Sequence, residues 1–333
     1  MDTTRQHTYS PRRTRLRAIA TVMLSGLLLL GVLSPAAHAV RPGSWSPLAP
    51  APFPRHESSY VQLDGLFHLL GGKWRQHNVY DPRDDEWSKA APMPVKVNRV
   101  QAVTVGGKLY MIGGMVKWKA PTIESKAVLI YDPDTNSWSR GSPMPRPRGA
   151  GGVAVFNGKI YYAGGITNSR SVKWFDVYNP AKDRWRRLPN MPIARQHFQA
   201  VVANGKFYAI GGASYAKRQL VKKPVRFNFE TGTWRKKGVR KPLVLTEGFV
   251  GAKLAGRVVL FGGVGATGAK AVVQAYDPRT NTWVRWAQLP TPRHATQGAT
   301  CQGGVYIAAG SDASGRHPSA RHDVFFLGAS NPC

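Results

Sequence analysis

Five Gly-Gly doublets punctuate this chain, at Gly71-Gly72, Gly113-Gly114, Gly164-Gly165, Gly211-Gly212 and Gly262-Gly263, with a degraded sixth at Ala309-Gly310. Their first residues lie 42, 51, 47, 51 and 47 positions apart. Self-similarity at a period of this size marks an array of supersecondary units, each too small to bury its own apolar face and stable only against its neighbours. The doublets therefore decide the architecture, and say nothing yet about chemistry.

Each doublet closes a short run rich in aromatic or β-branched residues, such as Tyr110-Met111-Ile112, Tyr161-Tyr162-Ala163 and Val258-Val259-Leu260-Phe261. Buried strands read this way. Before each run lies a glycine turn: Asp64-Gly65, Gly106-Gly107, Asn157-Gly158, Asn204-Gly205, Gly256 and Gly303-Gly304. Asn-Gly and Asp-Gly suit two-residue hairpins, whose central residues need positive φ. Upstream of each turn is a further strand with small residues, such as Ala150-Gly151-Gly152-Val153-Ala154-Val155. Downstream comes a second signature: Tyr80-Asp81-Pro82 then Trp87, Tyr131-Asp132-Pro133 then Trp138, Tyr178-Asn179-Pro180 then Trp185, and Tyr276-Asp277-Pro278 then Trp283. A worn copy reads Phe227-Asn228-Phe229 then Trp234. Asx-Pro starts a turn, so each unit is expected to be a four-stranded antiparallel sheet with strands a to d.

This order of strand, Gly-Gly, Tyr-Asp-Pro and Trp, followed by a Pro-rich link such as Leu188-Pro189-Asn190-Met191-Pro192, resembles the kelch-repeat β-propellers over about Trp45 to Leu327. The resemblance implies an all-β, six-bladed propeller. The last unit has strands a to c, ending near Val324-Phe325-Phe326, but no tryptophan strand, and Trp45-Ser46-Pro47-Leu48-Ala49-Pro50 matches the missing strand d with its exit. The ring is therefore expected to close with an N-terminal strand completing the C-terminal blade, which protects the edges an open array would expose.

Residues 1–39 read separately. Arg12, Arg13, Arg15 and Arg17 precede an apolar run from Ala18 to Leu33, and Ala37-His38-Ala39 fits a small-residue cleavage site. The run is short for a membrane span of about 20 residues, so a cleaved signal peptide is expected, leaving residues 40–333 as a single propeller. Arg12-Arg13 resembles the twin-arginine pattern but Arg15 stands where that pattern has a large apolar residue, which favours Sec export. An uncleaved anchor is the alternative. The expected location is periplasmic or secreted, with a monomer expected. Two cysteines suit an exported chain, and a Cys301–Cys333 bridge would pin the C-terminal tail across the closing blade.

Lys plus Arg number 47 against 17 Asp plus Glu; losing the leader's five arginines and Asp2 leaves 42 against 16, or +26. So basic a chain favours anionic partners, and export points to acidic glycans, envelope polymers or acidic partner peptides over nucleic acid. A compositional bias towards arginine is the alternative. Position adds more. Sixteen residues before each doublet (or before Ala309) stand Arg55, Arg148, Arg195 and Arg293, with Val97 and Thr246 in the other two units and Arg99 two residues past Val97. These positions open strand a, nearest the axis, and predict a ring of arginines at one channel mouth, able to pair with carboxylate or phosphate. Neighbours in register are His56, Glu57, Gln196, His197, Glu247 and His294. An arginine here can equally bridge adjacent blades, and both readings stand.

The b-to-c loops are expected on the same face and carry Trp74, Trp118 with Lys117 and Lys119, Arg170, Tyr215 with Lys217 and Arg218, and Arg316 with His317. The resemblance implies that this face is the ligand surface and that strand-a arginines in some members bind acidic peptides. Trp74 and Trp118 do not recur with the blade, so they are candidates for stacking on sugar or base. The leading expectation is a binding module for an anionic ligand. The alternative is a carbohydrate-active enzyme resembling the sialic-acid mutarotases or epimerases, with an arginine-lined pocket and Glu247 or Glu57 as acid/base. A copper radical oxidase of galactose-oxidase type would need a tyrosine–cysteine cross-link, and Cys301 is the only internal cysteine; no metal motif and no cofactor are expected.

Overall fold

The computed structural model describes residues 41–117, 122–313, 317–328 and 333. The leader and Trp118 lie outside them. Six four-stranded antiparallel sheets form the blades. Blade 1 comprises Ser58–Leu63, Leu66–Gly71, His77–Asp81 and Glu86–Ala90. Blade 2 comprises Gln101–Val105, Lys108–Ile112, Val128–Asp132 and Ser137–Gly141. Blade 3 comprises Gly152–Phe156, Lys159–Ala163, Phe175–Asn179 and Arg184–Leu188. Blade 4 comprises Ala200–Ala203, Lys206–Ala209, Val225–Asn228 and Thr233–Arg235. Blade 5 comprises Val250–Leu254, Arg257–Phe261, Val273–Asp277 and Thr282–Trp286. Blade 6 takes strands a to c from Gly298–Cys301, Gly304–Ala308 and His322–Phe326, and strand d from the N-terminal Ser44–Pro47, with Trp45 opposite Phe325. Each strand a touches the next around the axis, and the last touches the first. Among the described residues no helix is long and apolar enough to cross a membrane.

The repeated residues tie blade to blade. The indole Nε1–H of Trp87, Trp138, Trp185, Trp234 and Trp283 donates to the carbonyl of Ala49, Ala91, Ser142, Pro189 and Arg240, each at 2.9 Å and each in the exit link of the preceding blade. Trp45 completes the set on the Ala287 carbonyl at 3.2 Å. An indole is useful here because its body packs while its one donor finds a carbonyl. The turn before each tryptophan adds a second tie. Tyr80 and Tyr131 donate to the Asp85 and Asn136 side chains, which in turn accept from the backbone N–H of Ala49 and Ala91.

The doublets are glycine because another backbone lies against them. Gly165 N–H donates to the Arg195 carbonyl at 2.9 Å, and a Cβ on Gly164 would sit 2.6 Å from that same oxygen. At Gly211 the clash would be with the Thr246 carbonyl at 2.7 Å. Both glycines have positive φ, so sterics and backbone conformation make the same demand.

Cys301, at the end of strand a of blade 6, is bridged to Cys333, with Cα atoms 5.7 Å apart and a sequence separation of 32. Replacing both by serine is expected to cost roughly 3–4 kcal/mol by loop-closure entropy, read as a shift of the urea midpoint. Equal midpoints for the variant and the oxidised parent would show that the bridge adds nothing.

Candidate functional site at the channel mouth

The links entering each strand a converge on the axis, and there the chain forms a closed ring. Glu57, Arg99, Ala150, His197, Gly248 and Ala295 all have left-handed φ, between +49° and +64°. Each donates its N–H to the carbonyl of its counterpart in the preceding blade. Arg99 bonds Glu57, Ala150 bonds Arg99, His197 bonds Ala150, Gly248 bonds His197, Ala295 bonds Gly248, and Glu57 closes the circle on Ala295, at 2.5–3.2 Å. Below it, Gln297 reaches across the channel from blade 6. Its Oε1 accepts from Ala102 N–H of blade 2 at 3.0 Å, and its Nε2 donates to Gln199 Oε1 of blade 4 at 3.4 Å.

The predicted arginine ring is corrected by this geometry. Arg55, Arg148, Arg195 and Arg293 do open their strands near the axis, but they are 0–1% exposed and turn into their own blades. Arg148 pairs with the fully buried Asp176 at 2.7 Å and donates to the Tyr162 carbonyl. Arg293 pairs with Asp323 at 2.6 Å and donates to the Ala309 and Arg321 carbonyls. Arg55 reaches Leu69 O, Gln76 O and Asn78 Oδ1. Arg195 has no acidic partner among the described residues and donates to the carbonyls of Ala209, Gly211 and Lys223 at 2.7–3.0 Å. Burial pulls Arg195 down to about 9 and Arg55 to about 10, both still protonated at neutral pH. The bonds run within a blade, tying the start of strand a to the end of strand b and the start of strand c. The arginines thus root the b-to-c loops and present nothing to a ligand.

The mouth holds a different set. His56, Glu57, His197, Glu247 and His294 line one cavity of about 260 Å³. Arg99 Nε donates to Glu57 at 2.8 Å; His197 stands between the two acids, its Nε2 3.7 Å from Glu57 and its Nδ1 3.7 Å from Glu247. Burial alone would raise the Glu57 carboxyl, but the His197 ring and the Arg99 charge outweigh it and hold Glu57 well below the usual carboxylate range. A general acid at neutral pH needs the opposite shift. Burial pushes His294 down. Among the described residues no three His, Cys, Asp or Glu groups are set to hold a metal ion.

Around the mouth, the b-to-c loops carry short hairpins, among them Met115–Lys117 with Ile123–Glu124 and Ala213–Ser214 with Gln219–Leu220. Trp74 is 43% exposed and packs edge-on against Phe53, whose ring lies under the Arg55 guanidinium. Val116, Ile123 and Tyr215 are also exposed. Between blades 3 and 4, a groove of about 590 Å³ has a floor of Pro192, Ile193 and Leu220 and walls that include Lys173, Lys217, Lys222 and Lys223. Of these lysines sequence reasoning singled out only Lys217. Lys222 and Lys223 were legible as a pair just before strand c; their groove was not, because it depends on how neighbouring loops lean together.

Comparison with known proteins agrees with this architecture. A KLHDC2/KLHL20/DRC7 Kelch-repeats domain model matches residues 44–212. Kelch-like protein terF of Aspergillus terreus is 28% identical over 287 residues, covering 82% of this chain and 53% of that protein. Kelch repeat and BTB domain-containing protein 12 of Danio rerio is 28% identical over 124 residues, 37% of this chain and 14% of that protein. The chain thus spans about half or less of these relatives' length. A solved structure described as "Structure of YjhT" superposes with a TM-score of 0.74 at 16% identity, over 83% of this chain and 96% of that one, a likeness of fold alone. With six four-stranded blades, a ring closed by its N-terminal strand and a kelch model matching half its length, the chain belongs to the kelch-repeat β-propeller family.

Proposed function

We propose that this propeller is a binding module that takes an acidic peptide segment of a protein partner on its loop face, in the lysine-walled groove between blades 3 and 4. The observation that carries the reading is the groove itself. Among the described residues its lining has an apolar floor, four lysines and no acidic residue. An extended peptide could bury apolar side chains on Ile193 and Leu220 while its carboxylates meet Lys222 and Lys223. The Arg195 guanidinium donates to the Lys223 carbonyl at 2.7 Å, which holds one wall in place before any partner arrives. Preorganisation of this kind lowers the ordering cost of binding. The leader, read as an export signal, would place the encounter outside the cytoplasm.

The test is fluorescence anisotropy with a labelled Glu-rich peptide across about 50 to 400 mM NaCl, where screening separates charge-driven binding from the rest. Lys222→Glu with Lys223→Glu is expected to weaken binding at least about tenfold, or about 1.4 kcal/mol, and to flatten the salt dependence. Lys89→Glu, on the exposed strand d of blade 1, should leave binding unchanged. If the groove variant binds like Lys89→Glu, or if the parent shows no saturable binding, the reading fails. Preference for an acidic polysaccharide over the peptide would replace the partner class.

A further inference from the structure

Gln196 and Glu247 occupy equivalent places on neighbouring blades, one residue before the left-handed ring. Their backbones are fully committed. Gln196 exchanges both of its backbone hydrogen bonds with Ala213, at 2.9 Å each, and Glu247 does the same with Val264 at 3.0 and 2.8 Å. Only the side chains remain for other work. Gln196 is 6% exposed and its Oε1 is buried; the Oε2 of Glu247 is buried too, and neither has a hydrogen-bond partner among the described residues. Orphaned buried acceptors are uncommon in folded proteins and each calls for an explanation.

Both residues line one groove of about 370 Å³ between blades 4 and 5, with Tyr215 and Arg218 also on its lining. Glu247 and Val264 also line the mouth cavity of about 260 Å³, so the two spaces share these two residues. The nearest basic group described against it is His197 Nδ1 at 3.7 Å, beyond hydrogen-bond reach. Two acceptors, one of them a carboxylate, ask for a ligand that brings N–H donors and positive charge. A guanidinium fits best, since its planar N–H fork can serve two oxygens at once.

We infer that Gln196 and Glu247 form a receptor for a single guanidinium group, entering the blade 4–5 groove with its alkyl stem along Val264 and Tyr215. Arg218 on the same groove repels further positive charge. The rest of the ligand is therefore neutral or anionic, as in a lone arginine within an otherwise acidic segment, or a small zwitterion. The site rests on residues other than the lysine groove, so either proposal can fail alone.

Ethylguanidinium is the probe, with ethylammonium and acetate as comparison arms, titrated into the 15N-labelled propeller and followed by amide shifts. Saturable shifts are expected at Gln196, Glu247, Val264 and Gly265, strongest for ethylguanidinium, with a Kd on the order of 1 mM for so small a ligand. Glu247→Gln, whose native Oε2 has no hydrogen-bond partner to lose among the described residues, should melt within a few degrees of the parent and bind at least tenfold more weakly. Gln196→Leu should weaken binding as well; if it melts early, Glu247→Gln alone decides. Absence of saturable shifts, undiminished binding by Glu247→Gln, or tighter binding of acetate at these amides overturns the proposal.

Discussion

Acidification from about pH 7.5 to about pH 5 is expected to remove on the order of 6 kcal/mol of folding stability, through three buried histidines. His68 and His77 are 3% and 1% exposed, and their rings share one hydrogen bond, Nδ1 to Nε2, at 2.7 Å. That bond requires one ring to accept, so it cannot survive protonation of both. His322, 2% exposed, sits between Tyr60 O–H at its Nε2 and the Ala49 carbonyl at its Nδ1, an arrangement that satisfies the neutral ring. Burial pushes His68 down to about 4, and His77 and His322 to about 3. In the unfolded chain all three titrate near 6.5. Between those values the unfolded state binds more protons, so this stability is complete above about pH 6.5 and declines as pH falls. Each histidine accounts for about 2 kcal/mol at pH 5. Glu57, also held low in the fold, acts in the same sense, but its loss sets in only as pH falls through the ordinary carboxylate range, below this window. Urea titrations at the two pH values measure the effect. His68→Leu with His77→Leu should remove about two-thirds of it. A change below about 2 kcal/mol in the parent would mean that these rings are not held neutral in the fold.

The second large effect concerns the arginines. Arg148→Ala should destabilise the fold by about 3–5 kcal/mol, because it strips one partner from the fully buried Asp176. Arg146 still reaches Asp176 at 2.7 Å, which places the loss at the lower end. Arg195→Ala leaves the buried Ala209 and Gly211 carbonyls, and the part-buried Lys223 carbonyl, without this donor, at about 1–3 kcal/mol for each buried group left unpaired. Together they should prevent folding or lower the melting temperature by more than about 10 °C. Lys217→Ala on the surface should change stability by less than about 0.5 kcal/mol. The measurement is thermal unfolding by circular dichroism. Variants that melt like the parent while losing an acidic ligand would restore these arginines to a binding role.

The two outcomes show where this chain is legible. The doublets and tryptophans read correctly because their causes are local and repeat: a neighbouring carbonyl admits only glycine, and one indole donor meets one exit carbonyl in every blade. Trp45 could be found for the same reason, as the sixth member of a set of which five were plain. The arginines were placed on the right strand and turned the wrong way. Register counts residues along a strand, but alternation decides which side chain faces the axis. The signal was present in Val97, an apolar residue 2% exposed in the same register, and in Asp176 and Asp323, waiting at the start of strand c. The disposition of the lysine groove and the Gln196–Glu247 pair was beyond reach, because both sites lie between blades and depend on how loops of different length lean together.

The ring of six left-handed residues has a consequence for how such a mouth can diversify. Every N–H around the circle is spent on its neighbour's carbonyl, so the collar offers a visitor no backbone donor. Recognition there falls to five side chains and one bare glycine on a rigid hoop, and here the six positions spell Glu, Arg, Ala, His, Gly, Ala. Because the hoop is held by main chain, a letter can change without breaking the circle wherever the new residue tolerates left-handed φ, much as tumblers change in a lock whose barrel stays fixed. A new ligand at the mouth would then require a new spelling and no new architecture.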